Sequence, residues 1–377
     1  MHAGSRLLVT MAAGLAAAAI LLVWPARAAP SDPKAPGPKA EEFQRIFEQW
    51  KARLTELREL KVQYKNAEPA KRGEIRKQYD RLIEETQKLE LPVIEAAEAA
   101  FVEAPGADPQ LAQFLGGMAI FQFDSENYEE SLRLARLLID NGLADKSIYD
   151  LAGVSAFSAS QFEAAEKYLQ AAQAKGGVGP LARRCLDELE YYKEAWRAES
   201  QLRAAEDKAG NLPRVLLRTT KGDIELALFE DQAPIAVGNF ISLVEKGFYN
   251  GLSFHRVLPK FMAQGGCPKG DGTGGPGYSI QCECYQPNRR LHFRGSLSMA
   301  HAGRDTGGSQ FFLCFAPARQ LDGRHTVFGR VVKGLGVLAK IQRRDPSQPD
   351  QPVPDRILEA KVLWKRDHPY APKKIDG

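Results

Sequence analysis

Cysteine and histidine are scarce in this chain of 377 residues, which holds five of the first and six of the second. So few thiols exclude a small scaffold built from disulfides. None of His2, His255, His292, His301, His325 and His368 lies in an HExxH pair, so that zinc-site spacing is missing. A large charge of one sign is missing too. The 51 basic and 47 acidic residues leave +4, which makes no electrostatic case for a nucleic acid or an anionic membrane as partner. There is no GK[ST] loop and no G-x-S-x-G elbow; Gly307-Gly308-Ser309-Gln310-Phe311 lacks the closing glycine. No nucleophile and base stand out together, so nothing supports hydrolysis or covalent catalysis. Beyond residue 24 no apolar run is long enough to cross a bilayer.

What is present begins with an address. Met1–Arg6 is short and basic, Leu7–Trp24 is uncharged, and Ala26-Arg27-Ala28 follows the small-x-small pattern of a signal-peptidase site. The layout predicts a signal peptide over residues 1–28, cleaved after Ala28, and an exported protein, periplasmic or secreted. Membrane attachment is expected only if the signal stays uncleaved. Residues 29–40 are Pro-rich and read as an extended linker.

A helical half follows. Phe43, Phe47, Trp50, Leu54, Leu57 and Tyr64 recur at spacings of four and three among Glu, Lys and Arg. Pro69 interrupts the stripe, which resumes at Ile75, Tyr79, Leu82 and Leu89 with Thr86 in the missing slot. Pro92 is expected to end the second helix, giving a helical hairpin over 41–91. Residues 92–208 continue as helices, and two stretches match at an offset of 34. Asn127-Tyr128-Glu129-Glu130 parallels Gln161-Phe162-Glu163-Ala164, and Ala119 and Ser131 in the first stretch correspond to Gly153 and Ala165 in the second. With Tyr149, Phe162 and Ala172, this pattern resembles tetratricopeptide repeats, whose paired helices approach at small residues. The resemblance implies a surface for a protein partner, with no residue assignable to it, the alternative being a spacer or packing platform.

Ala209-Gly210-Asn211-Leu212-Pro213 closes the helical half, and the apolar period changes from 3.6 to 2. Strands are expected at 215–220, 223–229, 253–257, 261–264, 296–300, 311–315, 326–331 and 357–364, with helices at 234–246 and 335–342. Strands with only two helices and no regular βαβ alternation point to a closed antiparallel barrel. The loop Gly270-Asp271-Gly272-Thr273-Gly274-Gly275 fits G-x-G-x-x-G, but no helix follows it, so it is not a dinucleotide loop.

Five blocks in this half occur in a telling order: Phe254-His255-Arg256-Val257, Phe261-Met262-Ala263-Gln264-Gly265-Gly266, Leu297-Ser298-Met299-Ala300-His301-Ala302, Gly308-Ser309-Gln310-Phe311-Phe312, and Leu321-Asp322-Gly323-Arg324-His325. Together they resemble the cyclophilin family of peptidyl-prolyl cis–trans isomerases, over about 212–366, with 367–377 left as a tail. The resemblance implies an eight-stranded antiparallel barrel closed by two helices, and proline-containing polypeptides as substrates. It implies Arg256 as the residue beside the proline nitrogen, with Phe261, Gln264 and His325 in the catalytic set. Met262, Phe312 and Leu321 would line the proline slot. Ala300, His301, Ala302, Gln310, Gly272 and Thr273 would form the neighbouring groove. No cofactor and no metal are implied. Rotation about an X–Pro bond is opposed by amide resonance, a barrier of roughly 18–20 kcal/mol. A fixed cation beside the nitrogen stabilises the twisted amide more than either planar form. The alternative is a binding module that holds proline segments as a chaperone or scaffold without turnover.

Two departures from the resemblance are visible. Gln320 stands where well-known members carry Trp, and His301 where Asn is more common. Cys185 is expected to be buried and inert. Cys267, Cys282 and Cys284 flank the glycine loop, and in an exported protein a disulfide from Cys267 to Cys282 or Cys284 would pin it; free thiols, or a metal site with a nearby histidine, are the alternatives.

Overall fold

The computed structural model describes residues 37–348 and 351–375. The signal and most of the linker lie outside the described residues. The chain divides into two compact units. One comprises the described residues up to Ser155 with Ala165–Arg183; the other comprises Ala156–Ala164 and Arg184 onward.

In the first unit, α1 (Pro38–Asn66) and α2 (Pro69–Glu103) form the expected hairpin. Phe43, Trp50, Leu54, Leu57 and Tyr64 are buried from α1, and Tyr79, Leu82 and Thr86 from α2. Thr86 fills its apolar slot by donating its hydroxyl to the Leu82 carbonyl, 2.7 Å away. Pro92 does not end α2, contrary to expectation; the helix runs eleven residues past it. Proline costs one amide donor and crowds the preceding turn. Here Val93, Ile94, Ala97 and Phe101 are all buried just beyond it, and their packing carries the helix through. The division of helices at 91/92 therefore falls inside one element.

Four shorter helices follow: α3 (Pro109–Asp124), α4 (Tyr128–Asp140), α5 (Lys146–Ser158) and α6 (Phe162–Ala174). The offset of 34 sets α3 and α4 against α5 and α6. Gly153 favours the close approach within the second pair, since a Cβ there would lie 2.5 Å from Leu169 Cδ2 and force a shift. In the first pair Ser131 is buried and donates to the Ala119 carbonyl at 2.7 Å.

The helix α7 (Pro180–Ala209) belongs mostly to the second unit. The period changes at 209–213, but the packing boundary lies earlier, at Arg184. The reason is a set of contacts far apart in sequence. Trp196 packs edge-on against Phe293 at 4.9 Å, and Arg290 reaches Glu199 and Glu206 of the helix.

Ten strands follow among the described residues: β1 (Arg214–Thr219), β2 (Gly222–Leu228), β3 (Arg256–Leu258), β4 (Met262–Gly265), β5 (Ser279–Ile280), β6 (Ser296–Met299), β7 (Phe311–Cys314), β8 (Val327–Lys333), β9 (Ile357–Trp364) and β10 (Lys374–Ile375). Eight form one antiparallel sheet in the order β3-β4-β7-β6-β8-β2-β1-β9. The sheet is a curled half-barrel. No ladder joins its end strands β3 and β9; the segments leading into them meet at an isolated Ser253–Arg356 bridge. The inner face packs Leu217, Ile224, Leu226, Phe254, Val257, Ala263, Leu297, Phe311 and Leu313 against α8 (Pro234–Glu245), whose Val237, Phe240, Ile241 and Val244 are buried. A short α9 (Leu335–Lys340) adds Leu338.

The chain after β9 is tied down. Tyr370 donates to Glu230 at 2.7 Å, and β10 pairs with β5.

Candidate active site

Alternation along the strands separates the core from a second apolar cluster. In β3, Val257 faces the core and Arg256 and Leu258 the other side. In β4, Ala263 faces the core and Met262 and Gln264 the other side. In β7, Phe311 and Leu313 face the core and Phe312 and Cys314 the other side. Register then aligns the outward residues. Arg256 stands opposite Gln264, Gln264 opposite Phe312, and Phe312 opposite Ser298. One row thus crosses four strands. Met262, Phe312 and Cys314 form the floor of the outer cluster, and Leu258, Phe261, Ala300 and Leu321 pack partly buried against it.

The polar groups around this cluster differ in how far they are already engaged. Arg256 makes no hydrogen bond or ion pair among the described residues, so its donors are uncommitted. Gln264 is engaged: its Nε2 donates to Gln310 Oε1 at 2.9 Å. Gln310 in turn donates through Nε2 to the carbonyls of Gly272 and Gly274, both at 2.8 Å. This amide therefore clamps the glycine loop to the strand row. Thr273 closes the loop locally by bonding Asp271 Oδ1 through its amide and hydroxyl, each at 2.8 Å. Gly266 lets β4 leave the row, since a Cβ there would lie 2.4 Å from the Ser309 carbonyl.

His325 stands edge-on to Phe312, 5.5 Å between centroids. Its Nδ1–H donates to the Met299 carbonyl at 3.0 Å. Burial pushes its pKa down to about 4, so the ring is neutral at physiological pH. His301 stacks on it at 4.2 Å and donates through Nε2–H to the Arg324 carbonyl at 2.7 Å. Ala300 donates its amide to the Gln310 carbonyl at 3.0 Å. Ala302 is exposed at the rim, its amide taken by the Thr306 hydroxyl at 3.1 Å. The structure thus gathers the residues singled out by sequence around one outward slot, with Ala302 at its edge.

The cysteines are all free and buried, so the disulfide foreseen among Cys267, Cys282 and Cys284 is not formed in this structure. Their sulfurs serve different loops. Cys267 Sγ accepts the amides of Gly272 and Gly274 at 3.3 and 3.2 Å. Cys282 Sγ accepts the Asp305 amide at 3.1 Å. Glu283, between the other two, caps α8 by accepting the Ile235 and Ala236 amides, both at 2.9 Å. A carboxylate at a helix N-terminus meets unpaired N–H groups and the positive end of the dipole.

Sequence reasoning gave no role to the groups behind Phe312. His292 lies parallel to the Phe312 ring at 5.9 Å, and its Nδ1 bonds Asp322 at 2.8 Å. Asp322 stands inside a block quoted for the resemblance, which was the available signal. His292 carried none.

An apolar cluster bordered by Arg256 and by the Gln264–Gln310 amide pair marks the class of a domain with a candidate peptide-binding site. Comparison with known proteins gives this class its family. Residues 214–362 match the family model described as "Cyclophilin type peptidyl-prolyl cis-trans isomerase/CLD". A peptidyl-prolyl cis-trans isomerase of Helicobacter pylori (strain ATCC 700392 / 26695) is 57% identical over 143 residues, which is 37% of this chain and 86% of that protein. One of Synechococcus elongatus is 57% identical over 154 residues, 40% of this chain and 97% of that protein. Peptidyl-prolyl cis-trans isomerase B of Bacillus subtilis is 58% identical over 112 residues, 30% of this chain and 78% of that protein. The chain belongs to the cyclophilin family and is a peptidyl-prolyl cis–trans isomerase.

Proposed function

We propose that this isomerase turns X–Pro bonds of exported proteins by holding the proline ring in the Met262–Phe312 slot while Arg256 stabilises the twisted amide. In that transition state resonance is lost and the proline nitrogen gains a lone pair. A guanidinium donor aimed at the nitrogen meets a charge that the planar forms do not present, so it lowers the barrier without forming a bond. Gln264 and the backbone at His301 hold the flanking carbonyls, so one side of the bond is gripped as the other rotates. Neutral His325 closes the slot edge without adding a second charge. The single observation that supports this reading is the row Arg256–Gln264–Phe312, in which the Arg256 side chain makes no hydrogen bond or ion pair among the described residues. By strand spacing, Arg256 and Phe312 are about 10 Å apart at Cα, with Gln264 between them in the row.

The test is isomerisation of a short Xaa-Pro peptide by wild type and Arg256→Ala. A fall in kcat/KM of about 10²–10³ is expected for loss of one transition-state donor. Equal rates would refute the assignment, and retained proline-peptide binding without any wild-type turnover would favour the scaffold reading.

The remaining parts of the proposal rest on sequence pattern and local packing. Cleavage after Ala28 would release the protein outside the cytoplasm, and N-terminal sequencing of the mature chain tests it. The helices of the first unit would act as tetratricopeptide-like repeats that recruit a partner or client. Closure of the half-barrel into a ring would pass through the Ser253–Arg356 bridge.

A further inference from the structure

We propose that Tyr191, on the helix α7 ahead of the family-matched region, is a positioning residue for the proline slot and acts through Asp322. The inference rests on the slot assignment above. Tyr191 Oη donates to Asp322 Oδ2 at 2.9 Å. The other oxygen of Asp322 accepts both the amide and Nδ1–H of His292, each at 2.8 Å. Since a carboxylate only accepts, Nδ1 carries the proton, and Nε2 is left to Ser298 Oγ at 3.0 Å. The His292 ring lies parallel to Phe312 at 5.9 Å, and on its other flank Phe312 meets the edge of His325. The floor of the slot is therefore held between two histidines.

Asp322 also sits within the short segment that supplies the slot walls. Leu321 precedes it, and His325 follows, its amide bonded to the Leu321 carbonyl at 3.1 Å. Arg319 begins this segment and lays its guanidinium over the Tyr191 ring at 3.9 Å. Tyr191 thus grips the segment twice, by its hydroxyl and by its face. Burial, with the Asp322 charge beside it, pushes its pKa up to about 12, so it remains a donor throughout the physiological range. The slot of this chain is completed from a helix outside the cyclophilin match.

Tyr191→Phe removes the hydroxyl and keeps the ring over which Arg319 lies. A looser slot weakens ground state and transition state alike, so KM should rise about three- to tenfold with kcat within about twofold. The His292 Nδ1–H proton resonance should move as Asp322 re-forms its bonds. In an Asp322→Asn background the same substitution should add nothing further. All measurements use the full chain and one Xaa-Pro peptide. Unchanged KM overturns the proposal, whether or not the melting temperature falls, since a purely structural prop would lower the melting temperature alone. A fall in kcat with KM unchanged also overturns it. Arg256→Ala run alongside reports on the catalytic assignment through kcat, so the failure of one reading is distinguishable from the failure of the other.

Discussion

Replacing Arg290 by Met should expose how firmly α7 is built into the catalytic unit. The Arg290 side chain is 1% exposed and Glu199 is 5% exposed. Arg290 binds Glu199 with two bonds of 2.8 Å, donates a third to Glu206, and lies 3.7 Å over the Phe229 ring. Burial alone would raise the Glu199 carboxyl, but the bonds and charges of Arg290 and Arg203 hold it below the usual range. Met keeps the volume over Phe229 and removes every donor. Breaking a buried pair from one side costs about 3–5 kcal/mol, because the stranded charge is left desolvated. Arg203 still bonds Glu199 at 2.6 Å, so the lower end of that range is expected. For a unit of this size, about 3 kcal/mol lowers the melting temperature by about 6–12 °C. Urea unfolding followed by fluorescence, with Trp196 reporting beside Phe293, measures the loss. The triple variant Arg290→Met, Glu199→Leu, Glu206→Leu should recover most of it, since an apolar replacement of a whole buried cluster is often neutral. A single-variant loss below about 1 kcal/mol would refute the reasoning, because it would mean that the carboxylates are solvated without Arg290.

Three further outcomes are expected. Stability should fall as pH drops from about 6.5 toward 4, because the unfolded chain protonates His325 at its ordinary value while the folded chain, with its pKa pushed to about 4 by burial, does not; Glu199, held low when folded, adds to the loss below the ordinary carboxylate range. Melting midpoints at pH 7, 5.5, 4.5 and about 3.5 check both signs. Pro92→Ala should stabilise the first unit by about 1–2 kcal/mol in urea melts, since it restores a donor inside a helix that already runs past the residue. Gly153→Ala should destabilise that unit by about 1–3 kcal/mol, since its Cβ meets Leu169 Cδ2 at 2.5 Å and the Leu169 backbone nitrogen at 3.2 Å.

Where periodicity was strong, the sequence was a good guide. The stripe from Phe43 to Tyr64 and the strand expected over 357–364 both mark elements that formed as expected. Arg256, Gln264 and Phe312 were legible through ordered blocks, yet their alignment in one row depends on register, which is set by strand pairing across the sheet. Pro92 misled because a local breaker was outweighed by buried neighbours that only the hairpin supplies. The place of α7 was illegible for a related reason. Tyr191 and Asp322 are 131 residues apart, and an amphipathic helix does not announce which surface it covers. Cys267, Cys282 and Cys284 suggested a bridge because they flank the glycine loop, whereas in this structure the Cys267 and Cys282 sulfurs accept backbone amides of different turns.

The alternation that separates slot from core also limits how this enzyme can vary. Met262, Ala263, Gln264 and Gly265 pass in turn from slot to core and back, as do Phe311, Phe312, Leu313 and Cys314. Point substitutions on the slot side leave the core untouched, so specificity can drift while the fold persists. A deletion of one residue in either strand is another matter. It would carry Phe311 and Leu313 outward and bury Gln264, changing pocket and scaffold together. Changes of length should therefore be tolerated best in the glycine-rich turns between strands, where no register is set.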